Sequence, residues 1–226
     1  MRIDSLRIHR IRLPLRSPFE TSFKRQTERE ALILELGADV DGREAIGWGE
    51  CVALPDPSYS AEYNDAASDV IQRFLVPLLA ERDDVTAETL AHDLRKVCGH
   101  RMAKAAIEMA VLDAELRARG VSMAEHLGGV TDRVPSGVSV GIHESPAELV
   151  DAVEGYLDEG YVRIKIKIKP GHDIDDVRAV REAIGHEVPL QVDANAAYGL
   201  VDARHLARLD LCRGGDYADR LVGCGR

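Results

Sequence analysis

The first third of the chain alternates apolar and polar residues with a period of two, the spacing of strands that bury one face. This pattern predicts three strands, over residues 2–15, 31–36 and 45–52. A polar segment at 17–23 predicts a loop after the first strand, and a proline-containing segment at 54–59 predicts another after the third. The chain is therefore expected to begin with a small sheet.

From residue 61 the apolar residues recur at helical spacing. Helices are predicted over residues 61–79, 86–97 and 102–119, and the last is rich in Ala, Leu, Glu and Arg. Thr86 is placed to cap the second helix, and Gly120 is placed to end the third. Strands followed by helices predict an α+β N-terminal domain over residues 1–130.

Residues 131–210 alternate between the two patterns. Strands are predicted at 134–141, 161–168 and 189–192, and helices at 145–157, 175–184 and 202–209. Ser145 and Pro146 suit the N-cap and first turn of one of these helices. The alternation predicts a parallel sheet with right-handed crossovers. Since a complete barrel has eight such units over ~250 residues, the expected fold is an α+β domain followed by an incomplete parallel (β/α) TIM-type barrel of about three βα units.

Residues 211–226 fit neither pattern. They hold four glycines and two of the four cysteines. A further parallel strand would require a run of branched apolar residues, which this segment lacks. Two interpretations stand for it, a segment foreign to the fold and a flexible C-terminal tail.

Composition narrows the class of protein. The 226 residues carry a formal net charge of -10, and 45% are hydrophobic. This acidity argues against nucleic acid or an anionic membrane as a partner. Cys51, Cys98, Cys212 and Cys224 show no metal-type spacing, and the N-terminus has no secretory pattern, so a reducing cytoplasm is expected.

The strand at 161–168 contains the candidate chemistry. Its sequence RIKIKIK places isoleucines on one face and cations on the other. One interpretation is an amphipathic strand with its charged face in water. Its position between two crossover helices favours the other, with Lys165 and Lys167 pointing into the barrel, because strands of parallel sheets are normally covered on both faces. A lysine held there can serve as a general base.

The next predicted strand ends in Asp193-Ala194-Asn195. The C-terminal ends of barrel strands are where such enzymes carry their catalytic groups. A carboxylate with an amide two residues on suits Mg²⁺ or a similar hard cation, although the same residues also commonly end strands as turn formers. The two strands together are a stronger signal than either one alone.

These stretches resemble the enolase superfamily in its muconate-lactonising branch, and within it the o-succinylbenzoate synthases and N-acylamino acid (N-succinylamino acid) racemases. The resemblance extends to about residue 210. The matching segments are SPFETSF, GWGECVALPDPSYSAEYND, GHRMAKAAIEMAVLDAELRARG, VPSGVSVGI, GYVRIKIKIKPG and LQVDANAAY.

The resemblance implies a role for each candidate residue. Lys167 would be the catalytic acid/base that handles the proton α to a carboxylate, with Lys165 beside it at the substrate carboxylate. Asp193 would be the first of three metal ligands. The positions implied to contact substrate are Ser139, Asn195, Phe23, Leu54 and Tyr59, the last three in two loops of a domain that caps the barrel.

The resemblance also implies the cofactor and the reaction. Mg²⁺, or Mn²⁺ or another divalent cation, would stabilise the enediolate formed when the α-proton leaves a small carboxylate substrate. The outcome would be dehydration, as in menaquinone biosynthesis, or racemisation of an N-acylamino acid. Members of this kind are expected to be homo-oligomers, and the oligomeric state of this chain is left open.

Part of that site is missing from the pattern. No lysine follows Lys169, and no predicted strand after Asp193 ends in a carboxylate. The chain is thus expected to be C-terminally truncated relative to the family. Two hypotheses follow, an enzyme of which this is a fragment, and a catalytically inactive remnant or one-sided interaction fragment. For this chain alone no Mg²⁺-dependent exchange of an N-succinylamino acid α-proton is expected.

Overall fold

The computed structural model describes residues 1–80 and 82–212, and it divides the chain into two compact units. The first contains Met1–Pro14 and Glu28–Asp132, and the second contains Leu15–Thr27 together with the chain from Arg133 onward. The N-terminal segment around residues 15–27 therefore packs with the later part of the chain. Residues 213–226 of the predicted tail lie outside the described residues.

A three-stranded sheet forms one side of the first unit. The strands β1 (Arg2–Glu20), β2 (Arg25–Val40) and β3 (Arg43–Cys51) lie in the order β1-β2-β3. Strands β2 and β3 are antiparallel, and the hairpin between them turns at Asp41 (φ 55°) and Gly42 (φ 82°). Two consecutive positive φ angles are the requirement of a tight type I′ turn, which Asp-Gly meets well.

All three strands were located correctly, but the first two are longer than predicted. The loop expected at 17–23 is wrong over its first part, because β1 continues to Glu20. Ser17 and Pro18 are typical turn residues. The backbone here is nevertheless extended, and a contact distant in sequence stabilises its end, since the Ile142 N–H donates to the Glu20 carbonyl at 3.0 Å. Long-range contacts of this kind leave no local pattern.

The helices of this unit are α1 (Asn64–Val70), α2 (Pro77–Ala80), α3 (Ala87–Asp93), α4 (Arg101–Arg119) and α5 (Met123–His126). Thr86 caps α3 by accepting the Thr89 N–H, and Gly120 ends α4 at φ 67°, as predicted. The single helix predicted over 61–79 is wrong. Its middle is a π-helical turn at Ile71–Leu75, because Pro77 cannot donate the next helical hydrogen bond and the backbone widens before it.

The core of the first unit lies between the sheet and α4. Alternate residues of β2 are buried from Leu32 to Val40, and α4 buries a stripe of small and branched residues that includes Ala106 and Ala110. Gly47 and Gly49 of β3 face this helix. The predicted α+β character is confirmed for this part of the chain.

The second unit contains a parallel sheet of three strands, β4 (Gly137–Val140), β5 (Arg163–Lys167) and β6 (Leu190–Asp193), in the order β4-β5-β6. They alternate with α6 (Pro146–Asp158) and α7 (Ile174–Ile184), so the predicted βα alternation is confirmed. Ser145 caps α6 by accepting the Glu148 N–H, and Pro146 occupies its first turn as predicted.

The last predicted helix, over 202–209, is wrong as a single element. The segment forms a 3₁₀ turn at Leu200–Asp202, the short helix α8 (Ala203–Leu206) and a second 3₁₀ turn at Ala207–Cys212.

Within the described ranges, no helix is long and apolar enough to cross a membrane.

Candidate active site

Strand β5 presents two chemically different faces. Ile164, Ile166 and Ile168 are buried in an apolar core with residues of α6 and α7. The alternate positions, Lys165 and Lys167, lie on the opposite face of the sheet. The isoleucine face is therefore covered by helices, as expected for a parallel strand, and the cations face the other way.

The strand register aligns the candidate residues in two rows across the sheet. Ser139 of β4 pairs with Lys165 of β5, and Lys167 pairs with Asp193 of β6. Side chains at paired positions point to the same face. The register alone therefore brings residues from three strands to one surface.

Asp193 joins the two lysines. Its Oδ2 accepts from the Lys167 Nζ at 2.8 Å and from the Lys165 Nζ at 3.3 Å. The side chain of Lys167 is 8% exposed and that of Asp193 14%, whereas Lys165 is 33% exposed. The result is one shielded ion pair with a second, more accessible ammonium beside it, and these three charges sum to one positive charge.

The environment of Asp193 favours its carboxylate form. Burial acts to raise the pKa of Asp193, but hydrogen bonds from Lys167, the Asn195 N–H and Lys165 outweigh it, so the pKa lies below its ordinary value. The Asn195 N–H donates to Oδ1 at 2.9 Å. Both carboxylate oxygens therefore have partners.

Two polar side chains near this cluster carry buried oxygens without a hydrogen bond. The Ser139 Oγ and the Asn195 Oδ1 have no partner among the described residues. Buried polar atoms normally find partners, so atoms such as these mark positions where a ligand or water would be bound. For both residues the family resemblance implies a substrate contact.

The segment 15–27 is tied to the ends of the parallel strands. The Ser22 Oγ donates to the Ala194 carbonyl at 2.8 Å, and the Lys169 Nζ donates to Glu20 at 2.8 Å. Phe23 lies in the turn of this segment and is 39% exposed. The family resemblance pointed to Phe23 but not to Glu20 or Ser22. The partners of Glu20 and Ser22 are more than a hundred residues away, so no spacing in the sequence indicates them.

A cavity of about 500 Å³ lies in the second unit. Its lining includes Ser139, His143, Glu20 and His172. The two site lysines and Asp193 do not line it. Ser139 lines this cavity, and it is also the register partner of Lys165 in the charged cluster.

Leu54 and Tyr59 belong to the first unit, and their substrate contacts remain predictions. Leu54 is held there by a buried network: its carbonyl accepts the Asn64 N–H at 2.9 Å, and the Asn64 side chain donates to Glu30 at 3.1 Å. Glu30 also accepts from Arg10 and Arg12. This network fixes the start of the 54–59 loop.

Replacing Glu30 by glutamine should lower stability mainly at neutral pH. The hydrogen bond from Asn64 lowers the pKa of Glu30 against the opposing effect of burial, and the two arginines act in the same direction. A lowered pKa stabilises the fold above the unfolded-state value near 4 and is lost as pH falls through the folded value. We expect a loss of about 2 kcal/mol at neutral pH that shrinks by about pH 3, measured by urea unfolding.

The matched control is Glu28→Gln, on the same strand. Glu28 is 52% exposed and pairs with Arg12 at 3.4 Å, so its replacement should change the free energy of unfolding by less than about 1 kcal/mol. An equal loss for Glu30→Gln at both pH values would contradict the assigned role of Glu30.

The described residues alone do not fit a divalent cation. Within residues 1–80 and 82–212, no group of three His, Cys, Asp or Glu side chains is placed to hold a metal ion. Asp193 offers one carboxylate, and both of its oxygens are already engaged. Since Mg²⁺ and Mn²⁺ prefer about six oxygen ligands, Asp193 fits at most one position in such a shell.

Comparison with known proteins identifies the family. A sequence profile of the mandelate racemase / muconate lactonizing enzyme N-terminal domain matches residues 4–128, more than half of the chain. The chain belongs to this family of the enolase superfamily. A profile described as enolase C-terminal domain-like matches residues 148–210, so the resemblance seen in the sequence is confirmed over both units.

The curated relatives include a racemase and a synthase. An N-succinylamino acid racemase from an Amycolatopsis species is 54% identical over 210 residues, and an o-succinylbenzoate synthase from Geobacillus kaustophilus is 39% identical over 208. These alignments cover 93% and 92% of this chain but 56% and 54% of the relatives. The chain therefore spans about half the length of the curated relatives it matches.

A solved structure confirms the fold assignment. A member of the enolase superfamily from Listeria innocua matches with a TM-score of 0.86 at 35% identity, covering 94% of this chain and 56% of that one. The fold is thus an enolase-superfamily fold, with an N-terminal antiparallel sheet domain and a parallel sheet of three described strands. The barrel itself stays a prediction.

Proposed function

We propose that the cluster of Lys165, Lys167 and Asp193 serves enolase-type chemistry, the abstraction of a proton α to a carboxylate. The observation that carries this proposal is the Lys167–Asp193 ion pair at the C-terminal ends of two neighbouring parallel strands. Relatives that share the surrounding sequence are named as a racemase and a synthase, both of which this chemistry serves.

The substrate class follows from charge. Two ammonium groups pair with one carboxylate, so the cluster has a net charge of one positive unit, which attracts an anion. Lys165 is the more exposed of the two lysines and is therefore proposed to bind the anion. A small-molecule carboxylate is the proposed partner. The unpaired oxygens of Ser139 and Asn195 would accept hydrogen bonds from its polar groups, and Phe23, Leu54 and Tyr59 are proposed as further contacts.

Lys167 is the proposed acid/base. Its Nζ donates to Asp193, so to act as the base Lys167 must first give a proton to solvent and become the neutral amine, which then takes the α-proton from the substrate. If Lys167 returns the proton to a departing hydroxyl, the outcome is dehydration. Racemisation requires a second acid that returns a proton to the opposite face of the enediolate.

Metal dependence is part of the proposal for the whole protein. Asp193 would be one ligand of Mg²⁺, Mn²⁺ or a related ion, joined by oxygen ligands that the described residues do not supply. A second candidate function follows from the same observation. The chain by itself would be a catalytically inactive remnant or interaction fragment that binds the anion without turning it over.

Binding and exchange measurements on this chain separate the two candidates. Titration with an N-succinylamino acid should shift the NMR signals of the Lys165 and Lys167 side chains, and Lys165→Met should weaken this binding by about tenfold. With Mg²⁺ in deuterated buffer we expect no exchange of the substrate α-proton by this chain, because one carboxylate holds the ion weakly.

The matched control is Lys96→Ala, which removes an exposed lysine of the first unit. Measurable exchange that persists in Lys96→Ala and is lost in Lys167→Ala would show that the chain is itself an enzyme. Binding that is unaffected by Lys165→Met would sink the proposed anion site.

A further inference from the structure

A second polar cluster lies in the same unit, at the start of α7. Asp173 is buried and makes three hydrogen bonds: its Oδ1 accepts the Ile174 N–H at 2.6 Å, and its Oδ2 accepts from the Tyr198 hydroxyl and the His205 Nε2, both at 2.7 Å. The rings of Tyr198 and His205 are stacked, 6.5 Å apart. This cluster shares no residue with the charged cluster of Lys165, Lys167 and Asp193.

Between Asp193 and Tyr198 the backbone is strained. Asn195 has φ 46° and Ala196 has φ 63°. Two consecutive residues with side chains in the left-handed region are unfavourable, especially for alanine, which lacks a polar side chain to form a local hydrogen bond. The turn persists because its surroundings hold it, which is the usual condition for such strain.

The turn is coupled directly to the position of Asp193. The Asn195 N–H donates to Asp193 Oδ1, and the Ala197 N–H closes the turn on the Ala194 carbonyl at 3.0 Å. If the turn relaxed, Asp193 would lose the bond that orients its carboxylate. The carboxylate would then be held through Oδ2 by the two lysines alone.

Tyr198 is the residue that can hold the far end of this turn. It follows Ala196 by two positions, and its hydroxyl is bonded to a carboxylate at the N-terminus of α7. Burial and the hydrogen bond to Asp173 both raise the pKa of Tyr198, so its hydroxyl stays a neutral donor. Hydrogen bonds to a charged acceptor are about twice as strong as neutral ones, so this is a firm attachment.

We propose that Asp173 is a positioning residue, which acts through Tyr198 to hold the strained Asn195–Ala196 turn and so keeps Asp193 aligned with Lys167. The significance for catalysis rests on the proposed function. The attachment itself is a claim about this chain alone, and it can be tested without substrate or metal.

Amide hydrogen exchange measured by NMR on the full chain gives that test. Tyr198→Phe removes only the hydroxyl, so the Asn195 and Ala197 amides should exchange about tenfold faster or more, the effect of losing one charge-assisted hydrogen bond. Amides of β5 and the centre of α7 should change much less. A merely structural role would instead raise exchange throughout the unit by the same factor.

Two further variants sharpen the result. Tyr156→Phe is the matched control, because the Tyr156 ring packs in the same unit against Tyr161 and the apolar core, and it removes a hydroxyl of the same kind. It should leave the turn amides unchanged. Adding Ala196→Gly to Tyr198→Phe should restore part of the lost protection, because glycine tolerates the positive φ.

The outcomes separate cleanly. Selective loss of protection at Asn195 and Ala197, with partial rescue by Ala196→Gly, supports the positioning role of Asp173 and Tyr198. Unchanged turn amides, or a uniform change across β5 and α7, would overturn it. Failure of the substrate experiments above would leave this result standing, so the two proposals fail independently.

Discussion

Replacing Gly47 by alanine is expected to destabilise the first unit by about 3 kcal/mol. A Cβ at this position would lie 1.9 Å from the Ala110 carbonyl oxygen and 2.6 Å from the Ala114 nitrogen of α4. Both are backbone atoms, so no side-chain rotation relieves the overlap and the helix must move away. Denaturant unfolding followed by circular dichroism measures the loss.

The size of this effect follows from what α4 covers. The 19-residue helix packs its buried stripe on β3, and Gly49 meets it equally closely, with a would-be Cβ 2.0 Å from the Ala106 carbonyl oxygen. Moving the helix away therefore opens gaps along the main core of the unit. Ala110→Gly should fail to rescue Gly47→Ala, because the nearest overlapping atom belongs to the backbone.

Gly155→Ala is the matched control. Gly155 lies inside α6, and a Cβ there would meet nothing within 4 Å. The same substitution should stabilise by about 0.5–1 kcal/mol, since alanine restricts the unfolded chain and favours the helix. A Gly47→Ala protein as stable as wild type would show that β3 and α4 do not pack as described.

The second large effect is expected at Asp193, and it should be asymmetric. Asp193→Ala leaves the shielded Lys167 ammonium without its partner, which should cost about 3 kcal/mol of unfolding free energy. Lys167→Met should cost less than about 1 kcal/mol, because Asp193 keeps Lys165 as a partner and the methionine side chain still fills the buried space. Urea unfolding of both variants at neutral pH measures the difference.

Asp175→Ala controls for the loss of an acidic residue. Asp175 is 82% exposed and pairs with Arg178 at 2.8 Å on the surface, so its removal should cost at most about 1 kcal/mol. Equal costs for Asp193→Ala and Lys167→Met would mean that Lys165 does not share the carboxylate. The proposed arrangement of one anion between two cations would then be wrong.

Much of the fold follows from local pattern. The cap and first turn of α6 follow from Ser145 and Pro146, and the end of α4 follows from Gly120. The two faces of β5 follow from simple alternation, with the context of a parallel strand deciding that the isoleucines face the helices. Each of these features depends on residues close together in sequence.

The structural features that were not predicted leave no local sequence pattern. The π-helical turn before Pro77 keeps the apolar spacing of a helix, so periodicity cannot reveal it. The extension of β1 to Glu20 depends on contacts with Ile142 and Lys169, far along the chain. The helix α5 is too short for a periodic signal and was not predicted.

In the candidate site, too, some residues were predicted from the sequence and others were not. Lys165, Lys167 and Asp193 were predicted from two strands, and the parallel register brings them together. Asp173, Tyr198 and His205 were not predicted, because their hydrogen bonds join positions 25 and 32 residues apart without a motif. The placement of substrate contacts at Phe23, Leu54 and Tyr59 rests on the family resemblance and remains a proposal.

The central claim, that Lys167 held by Asp193 moves the α-proton, is tested most directly in a fused protein. Residues 1–210 would be joined to the remaining C-terminal part of the Amycolatopsis N-succinylamino acid racemase, 56% of which this chain already matches. The measurement is exchange of the α-proton of an N-succinylamino acid in deuterated buffer with Mg²⁺, followed by NMR. We predict exchange by the fused protein, a loss of about 100-fold or more in Lys167→Ala, and no loss in Lys96→Ala. A folded fusion that does not exchange, or one in which Lys167→Ala exchanges as fast as its parent, would contradict the account.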